Sequence, residues 1–175
     1  MEETVQNLWK LEITLRAVFS CQIPPKGKAH HFILHKADIL LERVRLGRRT
    51  QTKCFLIFKH FETYNVAQKL CEARGGHLAM PADDTELTVL RRYLYDAFQP
   101  YNWPSWVGIH DRRSEGLWLF ENGQRVSIFD WYQDHLVTQP NGGTRENCVS
   151  LSSDDGKWWD NDCERRMYYI CEYRL

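Results

Sequence analysis

Hydrophobic positions in the central part of the chain predict one strand followed by two helices. Residues 54–58 form a continuous apolar run that is typical of a buried strand. A helix is expected at about residues 63–74, where Gly75-Gly76 provides a C-terminal stop. A second helix is expected to begin at Asp83, with Glu86 three residues later completing a capping box. The apolar face of this helix consists of Leu87, Leu90, Leu94 and Phe98.

The remaining C-terminal part has the periodicity of strands. Short strands are predicted at residues 106–109, 117–120, 148–151 and 168–173. Asn122-Gly123 is a strong hairpin turn signal. A long irregular segment at about residues 130–147 precedes the last two strands, and a loop of this length is usually functional or disordered. The order of one strand, two helices and further strands predicts an α+β fold.

Residues 1–50 have a different pattern and form an N-terminal extension to a domain at residues 51–175. Two amphipathic runs in the extension have heptad-like spacing, but each is shorter than a convincing coiled coil. Their apolar positions are Leu8, Leu11, Leu15 and Val18, then Ile33, Ala37, Leu40 and Val44. Two interpretations stay open: a partly helical or disordered extension, and the remnant of a stalk through which the chain forms homo-oligomers.

The charge of the chain argues against some partners. Formal net charge is zero, so no overall field favours nucleic acid, and no apolar run is long enough to span a membrane. A local basic run precedes the domain, and it either binds sulphated glycosaminoglycans, is cut by a protease, or is a solvated linker. This run consists of Arg43, Arg45, Arg48, Arg49 and Lys53.

Side-chain oxygens near the C-terminus suggest a metal site. The four oxygen donors are Gln139, Asn141, Glu146 and Asp160. Such amide and carboxylate oxygens suit Ca²⁺, which takes six to eight oxygen ligands in a tolerant geometry. Cys148 and Cys163, only 15 positions apart, can clamp the two segments that carry these oxygens.

Cysteine content and motifs bear on compartment and chemistry. Six cysteines suggest a disulfide framework and an oxidising compartment, hence a secreted protein. Residues 1–4 do not resemble the start of a signal peptide, so we expect an incomplete or alternative N-terminus. No Gly-x-Ser-x-Gly or His-Glu-x-x-His motif occurs, and the sequence therefore does not predict an enzyme.

From about residue 53 to its end, the chain resembles a C-type lectin-like domain. The residues Trp106-Val107-Gly108-Ile109 are similar to the core Trp-Ile-Gly-Leu signature of that family. The resemblance implies a fold of two helices with antiparallel sheets and a long calcium-binding loop. It also implies two disulfides, a long-range bond between Cys71 and Cys171 and a short-range bond between Cys148 and Cys163.

Other segments are similar to the tetranectin group of this family. They are Cys54, Gly75-Gly76, the Gln-Pro-Asn-Gly-Gly run at 139–143, and Glu146-Asn147-Cys148. Segments at 100–104, 110–113, 120–127 and 168–172 narrow the resemblance to one growth-factor-type member, which implies an extracellular ligand for a cell-surface receptor. The family's cysteine shortly before Cys54 is absent, so three alternatives stay open: a Cys21–Cys54 bond, a free Cys54 and an intermolecular bond.

The resemblance also implies two calcium sites. Ligands of the first would be Gln139, Asn141, Glu146 and Asp160, with a cis peptide before Pro140. Ligands of the second would be Asp111, Glu115, Glu146, Asn147 and the carbonyl of Gly143. Glu146 would then serve both ions. For Asp111 and Glu115, a solvated turn beside Arg112 and Arg113 is the alternative.

Trp159 weakens the prediction that the domain binds sugar. In sugar-binding members this position is an Asn that binds both the ion and the sugar, whereas Trp159 either stacks on a sugar ring or is a half-buried structural aromatic. The sugar contacts would otherwise be Gln139, Asn141, Glu146 and Asp160. A calcium-stabilised ligand of a receptor protein is the first hypothesis, and a calcium-dependent carbohydrate-binding lectin is the second.

Overall fold

The computed structural model describes residues 47–175, which comprise two helices, one short 3₁₀ turn and eight strands. The helices are α1 (Tyr64–Glu72) and α2 (Asp84–Phe98), and the 3₁₀ turn is Gly143–Arg145. The strands are β1 (Arg48–Arg49), β2 (Lys53–Glu62), β3 (His77–Leu78), β4 (Ser105–His110), β5 (Leu119–Phe120), β6 (Cys148–Leu151), β7 (Trp158–Asn161) and β8 (Met167–Arg174). The two N-terminal amphipathic runs and the predicted stalk lie outside the described residues.

The strands form one mixed sheet rather than purely antiparallel sheets. Along its main path the order is β1-β2-β8-β4-β6-β7, while β3 pairs with β8 and β5 pairs with β4. All pairs are antiparallel except β4 with β8, where Ser105 lies opposite Tyr168. The predicted α+β fold is confirmed. The parallel pair and the strands β1, β3 and β7 are features that the sequence pattern did not indicate.

Each face of the sheet packs against one helix because side chains of a strand alternate between faces. Val107 and Ile109 of β4 join the core that contains α2, whereas Trp106 of the same strand joins the core that contains α1. In β2, Phe55 belongs to the first core and Leu56 to the second. The sheet therefore forms the middle layer between the two helices, and the loops lie at the ends of its strands.

The start of α2 has the predicted cap with one change. The Asp83 carboxylate accepts a hydrogen bond from the Glu86 backbone N–H at 2.8 Å. The Glu86 carboxylate reaches back to the backbone N–H of Ala82 at 2.8 Å rather than to that of Asp83 itself. The same Glu86 oxygen accepts a hydrogen bond from the Lys53 ammonium at 2.8 Å, which ties α2 to β2.

Both disulfides implied by the family resemblance are present. Cys71 in α1 is bonded to Cys171 in β8, with their Cα atoms 5.5 Å apart. Cys148 at the start of β6 is bonded to Cys163 just after β7, with a Cα–Cα distance of 5.3 Å. Cys54 is also disulfide-bonded, so the alternative of a free Cys54 is wrong. Cys21, its partner in another of the three alternatives, lies outside the described residues.

Two described members of the basic run, Arg48 and Lys53, contact the folded domain. Arg48 lies 3.2 Å from the Asp96 carboxylate and stacks over the Tyr93 ring. The Lys53 ammonium is mostly buried between Glu86 and Glu172. The interpretation as a solvated linker is therefore wrong for Lys53, while Arg43 and Arg45 lie outside the described residues.

Candidate functional site

The long segment before β6 is held in place by hydrogen bonds, although it contains no long helix or strand. Tyr132 N–H donates to the Trp158 carbonyl in β7 at 2.9 Å, and Gln139 N–H donates to the Tyr132 carbonyl at 2.9 Å. Residues 132–139 thus form a hairpin. At its tip, the Asp134 carboxylate accepts hydrogen bonds from the backbone N–H groups of Leu136 and Val137 at 2.7 and 2.6 Å. This loop is therefore a defined platform beside β7.

Asp160 in β7 anchors the part of the loop that follows. It is only 2% exposed. Its carboxylate accepts hydrogen bonds from the backbone N–H of Asn141 at 3.1 Å and from that of Gly142 at 2.8 Å. The peptide bond before Pro140 is cis, as the resemblance implied. These contacts bring two of the predicted calcium ligands, Asn141 and Asp160, together.

Glu146 lies beside the same part of the loop. It follows the 3₁₀ turn Gly143–Arg145, and its side chain packs directly against the backbone of Gly142. A Cβ at position 142 would overlap with Glu146 side-chain atoms, so this close approach requires glycine. An open groove of about 530 Å³ results, lined by Asn141, Gly142, Gly143, Arg145 and Glu146.

Carboxylates dominate the electrostatics of this region. Burial raises the pKa of Glu146, the nearby Asp160 carboxylate raises it further, and Arg165 opposes the rise. Burial also raises the pKa of Asp111, and the Glu115 carboxylate adds to that rise more than the Asp160 carboxylate does. Because Asp160 acts on both groups, the two predicted calcium sites share one region of negative charge that a cation would relieve.

Two buried oxygens in this region have no hydrogen-bond donor. They are Oδ1 of Asp111, on a residue 1% exposed, and Oε1 of Gln139, on a residue 5% exposed. Within residues 47–175 they are the only carboxylate or amide oxygens in this condition. Leaving such an atom unpaired is costly, and both residues were predicted from the sequence as calcium ligands. The donor set therefore fits a cation that prefers oxygen.

Comparison with known proteins identifies the family. Residues 61–173 match the family described as Lectin C-type domain. The chain belongs to the C-type lectin domain family. Its fold, its long loop and the bonds Cys71–Cys171 and Cys148–Cys163 agree with this membership.

Comparison with curated proteins shows which members of the C-type lectin family this chain is similar to. C-type lectin domain family 11 member A is 53% identical over 148 residues in both Rattus norvegicus and Homo sapiens. This is stem cell growth factor, also called osteolectin, the growth-factor-type member that the sequence segments resemble. Each match covers 76% of this chain but only 45% of the rat protein and 46% of the human one, so the chain spans about half of these relatives. Tetranectin of Homo sapiens is 34% identical over 149 residues, covering 84% of this chain and 73% of tetranectin.

Solved structures share the fold. The carbohydrate-recognition domain of the mouse scavenger receptor C-type lectin has a TM-score of 0.63 at 22% identity, covering 73% of this chain and 95% of that one. The Ca²⁺-free form of a Ca²⁺-dependent type II antifreeze protein has a TM-score of 0.62 at 22% identity, covering 73% and 96%.

The other residues predicted for the second site of this C-type lectin domain are less closely assembled. Glu115 is exposed, whereas Asp111 is buried and accepts a hydrogen bond from Gly116 N–H at 2.8 Å. A solvated turn therefore describes Glu115 but not Asp111. The Asn147 side chain donates to the Thr144 carbonyl at 2.9 Å.

Backbone and amide oxygens would have to complete any metal shell here. The Gly143 carbonyl accepts from Glu146 N–H at 3.0 Å, which leaves one lone pair of that carbonyl for another partner. In the part of the chain that the structure describes, no three His, Cys, Asp or Glu side chains converge tightly enough to hold a metal by themselves.

Trp159 is a half-buried aromatic residue whose neighbour the sequence did not reveal. Its ring stacks on that of Tyr132, with centroids 4.4 Å apart and planes 25° from parallel. The Tyr132 hydroxyl donates to Asp134 at 2.6 Å. Trp159 therefore supports the loop, and Tyr132 and Asp134 join the residues that shape the site. Only the acidic Asp134 at a turn offered a local signal for this role.

Proposed function

We propose that the chain carries the C-type lectin domain of a secreted, growth-factor-type signalling protein that binds a cell-surface receptor protein through a calcium-stabilised loop. The observation that supports the calcium part is the pair of unpartnered buried oxygens on Asp111 and Gln139. The signalling part is supported by the 53% identity to C-type lectin domain family 11 member A.

The proposed ligands divide into two overlapping sets. One ion would be held by Gln139, Asn141, Glu146 and Asp160, and a second by Asp111, Glu115, Glu146, Asn147 and the Gly143 carbonyl. Bound Ca²⁺ supplies positive charge that offsets the repulsion between these carboxylates. The chain itself positions these ligands. Asp160 orients residues 141–142, and the Cys148–Cys163 bond holds the start of β6 against the end of β7.

Glu146→Ala should weaken calcium binding more than any other single change, because Glu146 belongs to both proposed sets. Loss of even an outer-shell partner lowers metal affinity about 10- to 100-fold, so we expect at least that for this ligand. Thermal unfolding with and without millimolar calcium measures the effect. The wild-type chain should melt at a higher temperature with calcium, and chelator should reverse the rise.

Two further variants make this measurement specific. Asp160→Ala should weaken only the first of the two ions. Glu164→Ala removes an exposed carboxylate next to Cys163 and should leave the calcium response unchanged. An unchanged calcium response in Glu146→Ala would show that the ligand assignment is wrong. No calcium response in the wild type would mean that the domain is a disulfide-held protein-binding scaffold without an ion.

A calcium-dependent lectin is the alternative function, and the position of Trp159 makes it the weaker one. Its ring is already stacked on Tyr132, so one face of the indole is covered. The open groove beside Asn141 and Glu146 supports the alternative, because sugar hydroxyls could complete an ion's shell there.

Labelled wild-type chain should bind receptor-bearing cells in a saturable and chelator-sensitive manner. Glu146→Ala should reduce this binding and Glu164→Ala should not, because only the first change removes a proposed calcium ligand. A parallel glycan array separates the two functions. The lectin would be favoured by saturable, chelator-sensitive glycan binding together with the absence of any cell binding that depends on cell-surface proteins. Absence of saturable binding to cells would overturn the signalling proposal.

A further inference from the structure

The loop between β4 and β5 carries two proposed ligands of the second ion, Asp111 and Glu115. Asp111 is buried, whereas residues 112–116 are exposed. Within the loop, Ser114 N–H donates to the Asp111 carbonyl at 3.1 Å, and Gly116 N–H donates to the Asp111 carboxylate at 2.8 Å. These two bonds define the turn, but they do not connect its exposed part to the rest of the domain.

Arg112 makes that connection with its side chain. Its Nη1 donates a hydrogen bond to Oδ1 of Asn65 at 2.6 Å. Its guanidinium carbon lies 5.0 Å from the centre of the Tyr64 ring, within the range of a cation–π contact. Its Nη2 lies 3.7 Å from the Glu121 carboxylate. Among residues 112–116, no other side chain forms a hydrogen bond or an ion pair with any residue in the part of the chain that the structure describes.

The partners of Arg112 belong to the packed part of the domain. Tyr64 and Asn65 begin α1, and the Tyr64 side chain is fully buried. The Tyr64 hydroxyl donates to the Glu121 carboxylate, and the Tyr64 ring meets the Trp106 ring edge-on with centroids 5.6 Å apart. Arg112 therefore anchors an exposed loop to the core.

The charge of Arg112 has the opposite effect on a cation. Burial lowers the pKa of His110, which directly precedes Asp111, and the guanidinium groups of Arg112 and Arg113 contribute to a final pKa of about 4. Both arginines therefore disfavour positive charge beside Asp111. If charge alone mattered, removal of either arginine would strengthen the binding of Ca²⁺ at this place.

We propose that Arg112 is a positioning residue for the second calcium site, because it holds the 111–116 loop against α1 in the conformation that binds the ion. This inference rests on the calcium sites of the proposed function. The affinity of a site for Ca²⁺ depends on the rigidity of the site as well as on the charge of its ligands. Groups that orient metal ligands without touching the metal contribute about 10- to 100-fold to affinity. Anchoring by Arg112 should therefore outweigh its repulsion of the ion, whereas Arg113 should show the repulsion alone.

Calorimetric titration of the full chain with calcium chloride tests this role. Arg112→Met should lower the affinity for one of two ions about 10- to 100-fold and leave the affinity for the other unchanged. Arg113→Met is the matched control, since it removes the same charge from the neighbouring residue, and its calcium affinity should equal or exceed that of the wild type. With chelator, Arg112→Met should melt within about 3 °C of the wild type, because residue 112 is exposed.

Asn65 offers an independent test because it lies in α1, outside both proposed ligand sets. Asn65→Ala removes the acceptor of the 2.6 Å bond, and it should weaken binding of the same ion by less than Arg112→Met does. The double variant should bind calcium no more weakly than Arg112→Met alone, since both changes act through one contact. Additive losses of calcium affinity would show that the two residues act separately and would overturn the proposal.

The wild-type titration separates this inference from the function on which it rests. A wild-type chain that binds no calcium would overturn both, and one that binds a single ion would overturn the second site and the role of Arg112. Binding of two ions with unchanged affinity in Arg112→Met would overturn only that role. Equal losses in Arg112→Met and Arg113→Met would also overturn it. A large fall in the melting temperature of Arg112→Met with chelator would do the same, because it would assign Arg112 to the stability of the fold.

Discussion

Replacing Cys71 and Cys171 together by alanine is expected to lower the free energy of unfolding by about 4–5 kcal/mol. The bond spans 100 residues, and the loop-entropy model gives about 4.7 kcal/mol for a loop of that length. Both cysteines are fully buried, so the lost sulfur contacts add to the effect. Since whole domains are stable by only about 5–15 kcal/mol, much of the chain should be unfolded at body temperature.

Urea unfolding followed by tryptophan fluorescence measures this loss, and the second disulfide supplies the comparison. Cys148→Ala with Cys163→Ala opens a loop of 15 residues, for which the same model gives about 3 kcal/mol. This second double variant should also weaken calcium binding, because the disulfide that it removes lies close to Asn147 and Asp160. Equal stability of the two double variants would contradict the dependence on loop length.

The sequence predicted elements whose signals are local. Asp83 and Glu86 stand three residues apart, and the start of α2 follows directly from that spacing. The cores were also predictable, since the apolar positions of α2 recur on one face. By contrast, the parallel pairing of β4 with β8 joins residues 63 positions apart (105 to 168), and no periodicity within either strand specifies a partner.

The candidate site shows the same division. Gln139 and Asp111 were predicted as ligands through family resemblance, and their unpartnered buried oxygens are an independent physical observation. The stacking of Tyr132 on Trp159 depends on hairpin pairing with β7, and no motif in either segment encodes it. Outside the site, the contact of Glu86 with Lys53 was also not predictable from a local signal, because the two residues are 33 positions apart.

Lys53→Met is expected to destabilise the domain by about 3–5 kcal/mol, because it leaves two buried carboxylates without their cation. The Lys53 ammonium lies 2.8 Å from Glu86 and 3.5 Å from Glu172, and it also donates to the Met80 carbonyl at 2.8 Å. Methionine keeps the apolar stem, so the loss reports the charge rather than packing. Arg92→Met is the control on exposed α2 surface and should change stability by less than about 0.5 kcal/mol.

The pH dependence of this loss identifies its cause. Burial raises the pKa of Glu172, while Lys53 opposes the rise, so removal of Lys53 should raise that pKa further. The folded variant then binds a proton at pH values where the unfolded chain, with its ordinary carboxyl pKa, does not. Its stability must fall as pH rises, and the difference from wild type should be largest at about pH 7 and smallest at about pH 4. Urea midpoints for both proteins across this range measure the difference. A loss that is independent of pH would assign the effect to packing and not to the buried charges.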